Sequence, residues 1–148
     1  MRDNLAIERE YSRWLEHSSG ELLGELESLS AGEVIERFAM DLEFGTGGMR
    51  GKLGAGTNMM NSKTVARATL GFGKWILETG KPSVVIAYDT RNKSPEFAEV
   101  AADVLSSMGI RVYLFNEPTP TPVLSYAVRE LKAGGGIVIT ASHNPSQY

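Results

Sequence analysis

No cysteine occurs among the 148 residues, and histidine occurs only twice. Disulfides and thiolate metal sites are thereby excluded, and the lack of cysteine fits a reducing compartment. Basic charge is not in excess either: 15 lysines and arginines face 18 aspartates and glutamates, for a formal net charge of -3. Such a chain offers no cationic field to a nucleic acid, and no basic amphipathic segment reads as a membrane-surface helix. Long apolar runs are missing too. The apolar stretches are far too short for a membrane span or a signal-peptide core, and Arg2, Asp3, Glu8 and Glu10 crowd the start. These absences predict a soluble, cytoplasmic protein whose partners are small molecules or other proteins, with no nucleic acid and no membrane. What is present is an ordinary globular composition, 42% hydrophobic and 22% charged, at a length that suits about one domain.

Apolar spacing predicts three short helices in residues 1–40. Ile7, Tyr11, Trp14 and Leu15 recur at helical intervals behind a cap at Asp3 or Asn4; Leu22, Leu23, Leu26 and Leu29 form a second set, and Val34, Ile35 and Phe38 a third. Gly20, Ser30 and Gly32 punctuate them, so this region reads as an N-terminal helical arm. Leu42-Glu43-Phe44 is a short strand candidate ahead of the densest glycine run in the chain. Asn61, Ser62 or Thr64 can cap a helix to about Glu78, and Ser83 to Ala87 reads as a buried strand. Next come a helix capped by Ser94 with Pro95 in its first turn, a strand from Ile110 to Phe115, and a helix from Pro122 to about Lys132 capped by Thr121. Gly134, Gly135 and Gly136 then release the chain into the apolar run Ile137-Val138-Ile139. This alternation predicts an α/β fold: a three-layer α/β/α domain over residues 41–148, with a mostly parallel, mixed sheet, right-handed crossovers and helices on both faces.

Three loops at strand ends carry the chemistry. Gly45-Thr46-Gly47-Gly48-Met49-Arg50-Gly51 permits close backbone approach, so its N–H groups can form an anion nest with Arg50 as a planar fork; a tight turn between two short strands is the plainer alternative. A dinucleotide fingerprint is a weakened reading, because glycines continue through Gly54 and Gly56 before any helix begins. A phosphate-binding loop of the nucleotide hydrolases fits no better, since Leu53 follows Gly51-Lys52. After the second strand, Asp89 and Arg91 read as an orienting carboxylate and an anion ligand, or else as an Asx-turn beside a solvated arginine. Thr140-Ala141-Ser142-His143-Asn144-Pro145 follows the last strand, at the sheet edge where open α/β folds bind ligands. A hydrolase reading of Ser142 and His143 is weakened because neighbouring residues in extended chain point to opposite sides and no G-x-S-x-G elbow surrounds the serine.

The order of these motifs closely resembles the start of the phosphoglucomutases and phosphomannomutases. The resemblance is carried by Phe44 to Gly51, by Tyr88-Asp89-Thr90-Arg91 with Ser94 and Phe97, by Pro118-Thr119-Pro120-Thr121-Pro122, and by Thr140 to Pro145. The long form of the first loop, through Lys52 to Asn58, looks most like the branch that includes phosphopentomutases and glucose-1,6-bisphosphate synthases. It implies that Ser142 is the phosphoserine, that His143 assists with proton or charge handling, and that Arg50 contacts the phosphoryl region. Thr46, Gly47, Arg50, Arg91 and Asn144 are the implied phosphate and substrate ligands. One Mg2+ ligand would be an oxygen of phosphorylated Ser142, with the other ligands outside this chain, and a sugar bisphosphate such as glucose 1,6-bisphosphate would activate the enzyme.

Members of that family have four domains, and the metal loop, the sugar-selecting loop and the last phosphate loop have no counterpart here. The resemblance therefore implies the first, phosphoserine-bearing domain of a mutase over 41–148, stopping short of that domain's end and preceded by the arm at 1–40. Its expected partners are a sugar phosphate and the remaining domains of the same polypeptide. The expected reaction is an intramolecular phosphotransfer between the 1-position and the terminal position of a sugar, with the fragment alone inactive and prone to self-association. A non-catalytic phosphate-binding or assembly module is the alternative.

Overall fold

The computed structural model describes residues 1–141, and these fall into two compact units, the first Met1–Thr64 and the second beginning at Val65. In the first unit, α1 (Asn4–Glu16), α2 (Gly20–Glu27) and α3 (Ala31–Phe38) form where the apolar spacing predicts them. Asp3 caps α1 by accepting the N–H of Ala6 at 2.8 Å. Ser30 and Glu33 close a reciprocal capping box on α3. The apolar faces of these helices converge on Ile7, Trp14, Leu26 and Phe38. The Phe38 ring meets Tyr11 and Trp14 edge-on, with centroids 5.5 and 5.6 Å away. Lys63 closes the cluster, its ammonium 4.8 Å from the centre of the Trp14 ring and hydrogen-bonded to the carbonyl of His17.

Polar brackets tie this helical cluster to the glycine-rich segment. Arg2 donates to the Phe38 carbonyl at 2.9 Å and to the Thr57 hydroxyl at 3.2 Å, and pairs with Asp41. Glu25 binds Arg37 with one carboxylate oxygen and accepts the N–H of Ala55 with the other. The amide of Asn61 donates to the carbonyls of Gly54 and Gly56 at 2.8 and 3.0 Å. Gly56 has φ +129°, and a Cβ there would lie 2.8 Å from the Arg37 carbonyl oxygen, so only glycine fits. An exposed pair such as Lys52–Glu36, at 3.8 Å, contributes at most about 1 kcal/mol, so the core and these half-buried brackets carry the unit.

The short strand expected at Leu42-Glu43-Phe44 is displaced. Leu42 gives its N–H to the Thr57 carbonyl, and β1 is Phe44–Gly45, antiparallel to β2 (Gly48–Met49).

The second unit carries the sheet. After α4 (Ser62–Glu78), whose first turn is closed by reciprocal hydrogen bonds between Asn61 and Thr64, the chain enters β3 (Ser83–Tyr88). It continues through α5 (Ser94–Ser107), β4 (Arg111–Leu114), α6 (Thr121–Glu130) and β5 (Gly135–Ile139). The strand order is β4-β3-β5 and every pairing is parallel. Helix α5 therefore leads to one neighbour of β3, and α6 carries the chain back to the other. Val85 and Ala87 face Leu124 and Val128 of α6. Alternation turns the fully buried Val84 and Ile86 to the opposite face. The α/β/α architecture is thus as the sequence predicts.

Two caps differ from expectation. Ser94 is the first residue of α5 and not its cap: Lys93, at φ +68°, makes the turn into the helix, and the Ser94 hydroxyl is drawn away to Asp89. Thr121 likewise lies inside α6, behind Pro120, with no side-chain cap bond.

Candidate functional site

Thr46, Gly47 and Arg50 belong to the first unit. Paired Gly45 and Gly48 bring Phe44 opposite Met49, leaving Thr46 and Gly47 as a two-residue hairpin connection. Gly48 has φ +143°, a conformation few other residues adopt. All three candidate residues are exposed. The geometry is that of the tight turn weighed above, with Thr46, Gly47 and Arg50 exposed to solvent.

The second unit gathers the other strand-end loops around Asp89. Its N–H donates to the Ile139 carbonyl at 3.0 Å, extending the β3–β5 ladder beyond the Tyr88–Ile139 pair. Its Oδ1 accepts the N–H of Arg91 at 2.9 Å and the hydroxyl of Ser94 at 2.7 Å, so the Asx-turn, one of the two alternatives, is present. Its Oδ2 accepts the N–H of Ala141 at 3.0 Å. Thr119, in the proline-rich loop, donates its N–H to the Tyr88 carbonyl at 2.9 Å. The loops after β3, β4 and β5 thus meet at the carboxyl end of the central strand.

The electrostatics follow from this donor set. Burial pushes the Asp89 carboxyl up, but the Ser94 hydroxyl, the Arg91 N–H, the Thr140 side chain and the Ala141 N–H outweigh it and hold the group below the ordinary aspartate value. Asp89 is therefore ionised at neutral pH, which suits an acceptor facing four donors. Arg91 is half-buried at the start of the same turn. Ser142, His143 and Asn144 lie outside the described residues. Among the described residues, no three histidine, aspartate or glutamate side chains gather as a cation site.

Sequence reasoning named Asp89 as an orienting carboxylate or as the closer of a turn, and it missed what the group orients. The Asx-turn is visible from local spacing. The bond to Ala141 joins residues 52 positions apart and has no local signal.

A central parallel strand, helices on both faces and loops gathered at the carboxyl edge define an open α/β domain, the kind of sheet in which ligands bind at that edge. The chain belongs to the phosphoglucomutase/phosphomannomutase family: residues 41–148 match the model of that family's alpha/beta/alpha domain I. It is 50% identical to a phosphoglucomutase of Staphylococcus epidermidis over 117 residues, covering 78% of this chain and 21% of that protein. It is 41% identical to a phosphoglucomutase of Staphylococcus aureus over 137 residues, covering 91% of this chain and 25% of that protein. A solved structure described as a phosphomannomutase of Thermus thermophilus shares 42% identity and superposes with a TM-score of 0.67, covering 73% of this chain and 24% of its own. The chain therefore spans about a quarter of the length of these relatives.

Proposed function

We propose that this chain is the phosphoserine-bearing part of a phosphosugar mutase, with the arm at 1–40 preceding the catalytic first domain at 41–148. The observation that carries the reading is the family match over 41–148, which includes the serine loop directly after β5. In this scheme Ser142 carries the phosphoryl group. The sugar hydroxyl attacks phosphorus, the bond from the Ser142 oxygen to phosphorus breaks, and the hydroxyl proton leaves to a base. The sugar bisphosphate so formed turns over and returns its other phosphoryl group to Ser142. Such a transfer depends on positioning and on positive groups around the moving phosphoryl, because a phosphoserine carries about -1.5 to -2 charges.

Arg50 and Arg91 supply guanidinium forks for phosphate oxygens, Thr46, Gly47 and Asn144 supply hydrogen-bond donors, and His143 handles a proton beside the serine. Mg2+ would neutralise phosphoryl charge, with an oxygen of phosphorylated Ser142 as one ligand and the others outside this chain. Glucose 1-phosphate is the first substrate to test, with glucose 1,6-bisphosphate as activator.

The experiment is made on the full-length protein, with residues 1–148 alone as comparison. The full-length enzyme is expected to convert glucose 1-phosphate to glucose 6-phosphate, Ser142→Ala to abolish turnover, and the 148-residue chain to show none. Full activity in Ser142→Ala would end this mechanism. No turnover of any hexose or pentose phosphate by the full-length protein would favour a non-catalytic assembly module in its place.

A further inference from the structure

The carboxylate of Asp89 reaches beyond its own turn. One oxygen is anchored by the Arg91 N–H at 2.9 Å and by the hydroxyl of Ser94, a residue only 4% exposed at the start of α5. The other oxygen accepts the N–H of Ala141 at 3.0 Å. Asp89 also gives its N–H to the Ile139 carbonyl, and the Thr140 side chain adds a further hydrogen bond to the carboxylate. Ile139 ends β5, and Thr140 and Ala141 complete the path to Ser142. Every residue on that path is tied to one side chain or its backbone. With its first oxygen fixed by a turn and a helix start, the carboxylate cannot rotate toward solvent without breaking those bonds. Hydrogen bonds to an ionised group are roughly twice as strong as neutral ones, so the exit from β5 is held in one direction.

We propose that Asp89 is a positioning residue for phosphoryl transfer at Ser142: it holds Thr140 and Ala141, the two residues ahead of the serine in sequence, in one backbone arrangement. The inference rests on the reading of Ser142 as phosphoryl carrier. Asp89 touches no reacting atom in this scheme and acts through the backbone of Ala141. In-line transfer is sensitive to alignment, and a misplacement of about 1 Å can cost about 100-fold in rate.

The test compares the wild type, Asp89→Asn and Val84→Ala in the full-length protein. Asparagine keeps the size and one acceptor but sets an amide N–H2 against either Ala141 or the Arg91 and Ser94 donors. Val84, fully buried in β3, serves as a control that loses stability without touching the loop. Asp89→Asn is expected to lower kcat about 10- to 100-fold with KM for glucose 1-phosphate changed less than about threefold. It is also expected to raise hydrogen exchange at the Ala141 amide. Val84→Ala is expected to lower Tm at least as much while keeping kcat within about twofold. Wild-type kcat in a folded Asp89→Asn would overturn the proposal, as would a kcat loss in Val84→Ala as large as that in Asp89→Asn. The exchange measurement separates the two readings. If the wild type turns over no sugar phosphate, the mutase reading fails by itself, whereas an Ala141 amide that exchanges equally fast in wild type and Asp89→Asn refutes the bracket whatever the activity.

Discussion

A carboxylate accepts hydrogen bonds and never donates them, which is why an aspartate suits the end of β3, where four donors point at one group. The same donors give that end of the sheet a pH response. Because the folded state holds Asp89 below its ordinary value, the group adds stability in full above the ordinary carboxylate range, and that contribution is lost as pH falls through the lowered folded value. Glu33 is held low as well, by the Ser30 hydroxyl and then the Ser30 N–H, so acid sensitivity as such does not single out Asp89. The difference between wild type and Asp89→Asn does. Thermal melts from about pH 7 to about pH 3 are expected to show the largest gap in Tm at neutral pH and a closing gap on acidification. Two curves that stay parallel across that range would mean that the Asp89 charge is not what the bracket uses.

At the scale of the element, the entry to β5 and its first two residues are shaped by what three glycines leave out. A Cβ on Gly134 would overlap the backbone carbonyl oxygen of Lys81, one on Gly135 would lie 2.9 Å from the Phe72 ring, and one on Gly136 would lie 2.8 Å from a Val128 methyl. Side-chain neighbours can give way, but a carbonyl held in the turn before β3 cannot. Gly134→Ala is therefore expected to destabilise the fold by about 1–3 kcal/mol, measured as a lower denaturation midpoint at unchanged slope. A midpoint equal to that of the wild type would show that the turn can shift. From sequence, these glycines read only as punctuation, since their close contacts lie in α4, α6 and the turn at Lys81. Strand β3 was legible because it carries the apolar run Val84-Val85-Ile86-Ala87, the pattern of a parallel strand buried on both faces. Helix α5 was legible in its extent but not in its first residue, because the partner that takes the Ser94 hydroxyl is set by tertiary structure and not by local spacing.

Across the whole molecule, the α/β/α layering and the family could be read from the order of the motifs, while the long brackets could not. Arg2 with Thr57, Glu25 with Ala55 and Asp89 with Ala141 join residues 55, 30 and 52 positions apart, and no periodicity records such pairs. The Arg2 and Glu25 brackets make the first unit more than a set of helices, since they fix the glycine-rich segment against α2 and α3. The second unit has its own sheet and its own core. Of the two tryptophans in the chain, Trp14 belongs to the first unit and is 6% exposed beside Phe38 and Lys63, whereas Trp75, in the second, is 53% exposed on α4. The protein therefore carries its own optical reporter: a red shift in intrinsic fluorescence on adding denaturant should follow the opening of the helical cluster around Trp14, persist in Trp75→Phe and vanish in Trp14→Phe, so that one half of the chain can be watched coming apart without attaching a dye.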